Sequence, residues 1–227
     1  MITYRFKPNR ILIDIDTQKD LLTAAGACNV CNHKRLLANI RRIMAAARHS
    51  HIPTISTAQV YNPMYRNPGF CLAGTDGPKK VSYTLRDSCL RYPTSDSTDL
   101  PLDLLGRYDQ VIFYKRGEDP FEEPRLDRML TELRVDDLFL IGATAEGAVK
   151  DTAIGLLARG KRVTVLTDAV GTRDRSAADR AIREMTAKGA KLSKVTRILG
   201  CSTLKAVHAC SCENCRRVSP VDRTCAV

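Results

Sequence analysis

Three short stretches, far apart in the chain, carry residue types suited to moving a proton and to stabilising developing negative charge. The apolar run Ile11-Leu12-Ile13-Asp14-Ile15-Asp16 ends in a carboxylate. The run Gln110-Val111-Ile112-Phe113-Tyr114 is followed by Lys115. The run Leu138-Phe139-Leu140-Ile141 leads into Gly142-Ala143-Thr144-Ala145-Glu146-Gly147-Ala148, a turn of mostly small residues that opens a helix. An acid, an ammonium group and the free N–H groups of a helix start are the parts acyl transfer needs: a proton shuttle, its cationic partner and donors for an oxyanion. Taken singly, each also has an ordinary structural role as a turn residue, a solvated lysine or a plain turn.

The scaffold that brings such parts together is written in the apolar runs. Strands are expected at 11–16, 53–57, 110–114, 137–142 and 162–167. Helices are expected after Asn32, read as a cap for Leu36, Leu37, Ile40, Ile43 and Met44, and over 123–133, 146–158 and 175–188. This alternation predicts an α/β fold, a three-layer α/β/α arrangement with a largely parallel central sheet. Ligands of such sheets bind beyond the carboxyl ends of the strands, where Asp16, Lys115 and the Gly142–Ala148 turn all fall. Residues 58–105 are rich in Pro, Gly, Ser, Asp and Tyr and read as an irregular insertion that covers a substrate or contacts a second copy.

With 227 residues, 44% hydrophobic and 27% charged, the chain is expected to form one domain over 1–200 and a short Cys-rich basic tail over 201–227. No apolar run reaches membrane-spanning length, and the opening MITYRFKPNR lacks the apolar stretch of a secretory signal. The expected location is the cytoplasm, with no membrane partner. Net charge is +11, and residues 188–227 hold eight Lys or Arg against Glu213 and Asp222. That tail is a solvated basic face or a surface for nucleic acid.

Nine cysteines without a signal argue against a disulfide framework. Cys28-x-x-Cys31 and Cys212-x-x-Cys215 together have the spacing of a structural zinc site that would staple the tail to the first loop. His33, His208, Cys210 and Cys225 are alternative ligands, and unpaired surface thiols are the plain alternative. Cys71, Cys89 and Cys201 read as small apolar residues.

The segments IDTQKDLL, KRGEDPF and LFLIGATAEGAVKDTAIGLLARGKRVTVLTDAVGT resemble the isochorismatase-like (cysteine hydrolase) superfamily, over roughly residues 8 to 190. The resemblance implies that Asp16 is the general acid/base and Lys115 its positive partner. It implies a cis peptide at Ala143–Thr144 and an oxyanion hole from the N–H groups of Thr144 and residue 148. Gln18 would lie by the substrate pocket or order a loop. The implied reaction is hydrolysis of a C–N bond in a small amide, ureide or carbamoyl compound, without a catalytic cofactor and in a homo-oligomer.

Amidase members place cysteine where this chain has Ala148, so cysteine-based acyl transfer is expected to be impaired or absent. Three readings stay open. The alanine replaces a catalytic cysteine; or the protein is a cysteine-less, isochorismatase-type enol-ether hydrolase; or it is an inactive binding protein, nucleic-acid-associated through its tail. Isochorismatases tend to have His two residues earlier, where Glu146 stands. The stretch Thr57–Tyr61 lacks the Asp and His ligands of nicotinamidases, and Phe70 replaces the family's usual histidine, so no metal of that type is expected.

Overall fold

The computed structural model describes residues 10–64, 68–135 and 137–199. The expected basic tail, with Cys212 and Cys215, lies outside the described residues. Strand β1 (Arg10–Ile15), the one-turn α1 (Lys19–Leu22) and α2 (His33–His49) are followed by β2 (Thr54–Gln59). A long connection with a 3₁₀ turn at Ser82–Thr84 leads to β3 (Cys89–Tyr92). Next come α3 (Leu104–Arg107), β4 (Gln110–Lys115), a 3₁₀ turn at Pro120–Glu122 and α4 (Pro124–Glu132). The chain continues through β5 (Asp137–Ala143), α5 (Ala148–Ala158), β6 (Val163–Gly171), α6 (Arg175–Ala187) and β7 (Lys191–Ser193).

The strands form one sheet in the order β3-β4-β2-β1-β5-β6-β7, and every pairing is parallel. Strand β1 lies between β2 and β5, so the chain winds outward from it in both directions. The crevice at such a switch opens at the strands' carboxyl ends.

Side-chain alternation sorts the strands' apolar residues to two faces. Ile11, Ile13, Ile15, Val111 and Phe113 pack with Leu126 of α4, Val149 of α5 and Met185 of α6. On the other face Leu12, Ile141 and Leu166 meet Leu36, Ile40 and Met44 of α2. These are the α2 positions whose spacing predicted a helix. Each buried Leu or Ile of this kind contributes roughly 1.5–3 kcal/mol. No helix among the described residues is long and apolar enough to cross a membrane.

Several local expectations are corrected. The 58–105 segment holds a fourth short element of the sheet, β3, whose residues are mostly half-exposed because it pairs on one edge only. A half-exposed strand of four residues leaves no apolar run to read. Strand β6 extends to Gly171, past the expected end at 167, through a register shift opposite Leu140 and Gly142. Strand β7 was not anticipated either. Asn32 precedes α2 but makes no side-chain cap. Its amide instead donates to Val170 O at 3.1 Å and accepts from Thr172 N at 3.3 Å, tying the loop after β1 to the end of β6.

Candidate active site

The parallel registers Ile15↔Gly142 and Gln59↔Lys115 bring the ends of β1, β5, β2 and β4 side by side. The closest approach is at Gly142, which has φ +123°. A Cβ there would lie 1.8 Å from the Ile15 carbonyl oxygen, so only glycine lets the two strand ends touch. Directly after Ile15 the chain turns through Asp16, which adopts φ +47°. An Asp tolerates this left-handed geometry better than most residues.

The Asp16 carboxylate is held on both oxygens. Oδ2 lies 2.7 Å from Lys115 Nζ, and both side chains are 1% exposed. Oδ1 accepts from Thr57 Oγ1 at 2.6 Å, and the same hydroxyl accepts from the Asp16 N–H at 3.1 Å. Lys115 Nζ also donates to the carbonyls of Gly117 at 2.8 Å and Glu118 at 3.0 Å. Each hydrogen of the ammonium therefore has an acceptor, the condition under which a buried ion pair is tolerated.

The third part arrives from β5. The Ala143–Thr144 peptide is cis. Beyond it Ala145 N bonds Gly171 O at 2.8 Å, and Val149 N bonds Thr144 O at 3.1 Å. The N–H groups of Thr144 and Ala148 donate to no protein acceptor among the described residues. Ala148 opens α5 and is 3% exposed. A Cβ on Gly147 would meet Glu118 Oε2 at 2.5 Å, which puts the Glu118 carboxylate over the start of α5.

Gln18 serves the loop. Its amide donates to Gln59 O at 2.7 Å and Pro78 O at 2.8 Å, and accepts from Gln59 N at 2.9 Å. Both polar atoms of that side chain are engaged by the loop backbone, and Oε1 keeps one accepting lone pair.

Thr57 and Glu118 were not singled out by sequence reasoning, and Cys71 was read only as a small apolar residue. The signal for Thr57 was its setting. Strand β2, TISTAQ, is buried at all six positions yet carries three hydroxyls, and hydroxyls inside a parallel sheet need partners. Cys71 is fully buried with φ +51°, and its N–H donates to Asp20 Oδ2 at 2.6 Å. Burial, then the nearby Asp16 and Asp20 carboxylates, push its thiol far up, with Lys115 opposing. A thiol kept protonated in this way is no nucleophile. Alkylation of the native protein is expected to label exposed Cys31 first, half-buried Cys28 second and Cys71 last, read by peptide mass spectrometry. Early labelling of Cys71 would show that its pocket is open.

Cys28 and Cys31 sit at opposite ends of Arg173. Arg173 Nη1 donates to Cys28 Sγ at 3.1 Å, and Cys31 Sγ donates to Arg173 O at 3.0 Å. Arg173 also lies 5.7 Å from the Phe70 ring centre, and its N–H bonds Glu146 Oε1 at 2.9 Å. The two sulfurs thus meet different partners, a guanidinium and a carbonyl, and the other pair of the expected zinc quartet, Cys212 and Cys215, lies outside the described residues. Gln59 bonds the Tyr61 hydroxyl, and the Phe70 ring stands edge-on to Tyr61. Among the described residues, no group of three or more His, Cys, Asp or Glu is arranged to hold a metal.

Comparison with known proteins agrees with this architecture. An N-carbamoylsarcosine amidase from Arthrobacter sp. is 28% identical over 138 residues, 61% of this chain and 50% of that protein. The chain thus spans about half the length of the curated relative it matches. Among solved structures, the pyrazinamidase of Pyrococcus horikoshii in complex with zinc has a TM-score of 0.64 at 23% identity, covering 82% of this chain and 99% of that one. The MAR1 ribonuclease of Caenorhabditis elegans has a TM-score of 0.59 at 25% identity, covering 86% and 83%. The isochorismatase domain model matches residues 10–197, nearly the whole described fold, and the chain belongs to that family.

Proposed function

We propose that the chain is a hydrolase of the C–N bond in a small amide, ureide or carbamoyl compound, with its proton-transfer machinery assembled and its nucleophile position held by Ala148. The observation that carries this reading is the buried Asp16–Lys115 pair, 2.7 Å apart, beside the turn that opens α5. In the proposed reaction Asp16 takes the proton from the attacking group and returns it to the leaving nitrogen. The N–H groups of Thr144 and residue 148 receive the oxyanion. With a methyl at 148 no acyl-enzyme forms, water is the remaining nucleophile, and turnover is slow. The similarity to the Arthrobacter amidase supports the substrate class.

Restoring the thiol tests it. Ala148→Cys is expected to raise hydrolysis of at least one member of a panel of small amides, ureides and carbamoyl amino acids by about 100-fold or more. Adding Asp16→Asn should remove the gain. A folded Ala148→Cys protein that turns over none of the panel, and whose new thiol resists alkylation, would sink the proposal.

A second reading is favoured by Ala148 together with the similarity to the MAR1 ribonuclease. In it the site works without a thiol on a phosphodiester: Asp16 takes the proton of a ribose 2′-hydroxyl, whose oxygen attacks phosphorus, and returns it to the departing 5′-oxygen as the P–O5′ bond breaks, while the N–H groups of Thr144 and residue 148 receive the developing charge. Cleavage of RNA by the unaltered protein, abolished by Asp16→Asn, separates this reading from the first.

A further inference from the structure

A concave surface lies on the opposite face of the sheet from Asp16 and Lys115. Val111, Phe113 and Lys115 alternate to the face covered by α4, α5 and α6, so Ile112 and Tyr114 belong to the face of α2. There a cavity of about 860 Å3 opens between α2, the segment around residues 79–85, β4 and the edge strand β3.

Its cationic lining comes from Lys19, Lys34, Arg41, Lys79, Lys80 and Arg91, and no Asp or Glu among the described residues lines it. Lys80 is spent on the core, 2.9 Å from buried Asp14. Lys19 and Lys79 share the exposed Asp76, whose carboxyl their hydrogen bonds hold down at about 2. Lys34, Arg41 and Arg91 are exposed and have no carboxylate partner among the described residues; Arg41 lies 4.7 Å from the Tyr83 ring centre.

We infer that this groove binds a single-stranded nucleic acid, at a site separate from the Asp16 centre and whichever reaction that centre performs. The charges are spread, not focused. Lys34 and Arg41 lie seven residues apart on α2, about 10 Å along its axis, and Arg91 answers from the far wall. One phosphate ion satisfies one such group, whereas a chain of phosphodiesters satisfies them all. Half-buried Tyr114 and His33 give aromatic surface for bases along the same path. A lipid bilayer needs a projecting apolar surface, and this one is recessed. The basic tail carries the same sign of charge as the lining, so it is no complementary occupant.

The probe is a fluorescein-labelled uridine oligomer of about 12 nucleotides, followed by anisotropy on the full chain. Three phosphate contacts predict a slope of roughly −2 in log affinity against log salt, about a 20-fold weakening from about 50 to about 200 mM. The triple variant Lys34→Glu/Arg41→Glu/Arg91→Glu should bind about 100-fold more weakly. The milder Lys34→Gln/Arg91→Gln should lose about 10-fold with an unchanged melting temperature, which guards against misfolding. Wild-type affinity in both groove variants would overturn the inference. So would equal affinity for a duplex of the same length, preference for anionic lipid vesicles, or a loss that follows Arg216→Gln/Arg217→Gln in the tail instead. Binding is read without turnover, so failure of the proposed hydrolysis leaves this result standing, and the reverse.

Discussion

Replacing Lys115 by methionine is expected to cost about 3–5 kcal/mol of folding stability at neutral pH and to abolish turnover at the Asp16 centre. The methionine fills the space of the lysine stem but removes the partner 2.7 Å from a carboxylate that is 1% exposed. Water cannot replace that partner at such burial, so the Asp16 charge is left with the Thr57 hydroxyl alone. The carbonyls of Gly117 and Glu118 lose their donor as well. Denaturant unfolding measures the loss. The double variant Asp16→Asn/Lys115→Met should recover most of it, because the uncompensated charge is gone, and should remain inactive. Equal instability in the single and double variants would mean that packing, not charge, is what Lys115 supplies.

Gly142→Ala should be nearly as damaging, at least about 3 kcal/mol, through a wholly different cause. The new Cβ would fall 1.8 Å from the Ile15 carbonyl, a backbone atom with no rotamer to escape into, and φ +123° is itself forbidding for alanine. Strands β1 and β5 must part at their catalytic ends, which draws the Thr144 turn away from Asp16. The expected result is a lowered unfolding midpoint together with lost turnover in whatever fraction stays folded. A variant within about 1 kcal/mol of the parent, with activity intact, would show that the strand ends do not meet so closely.

The larger architecture was legible because parallel strands buried on both faces announce themselves as apolar runs, and because their carboxyl ends share one edge. Asp16 and Lys115 could be placed together on that ground before any coordinates. What escaped was whatever depends on a partner distant in sequence. Thr57 looked like one hydroxyl among several in TISTAQ until the sheet register set it against Asp16. Asn32 had the residue type of a helix cap, but β6 runs on to Gly171 and takes its amide. The spacing of Cys28 and Cys31 suggested a metal; it could not show that both sulfurs also meet Arg173, 142 residues away from Cys31. Gln18 had two equal readings, and the loop-ordering one depends on backbone partners around Gln59 and Pro78 that only the fold brings to it. Strand β3 failed for a local reason: at four residues, and paired on one side, it has neither length nor alternation to betray it.

The central position of β1 also sets a timetable for synthesis. Its first edge closes early against β2, but the other waits for β5, whose Asp137 pairs with Arg10. At ribosomal speeds of about 5–20 residues per second, that wait lasts roughly 6–25 s. Throughout it the nascent chain presents an unzipped row of amides flanked by isoleucines, a template for β-aggregation. Bacterial or eukaryotic hosts short of holdase chaperones should therefore lose this protein to inclusion bodies before release, however stable the finished sheet.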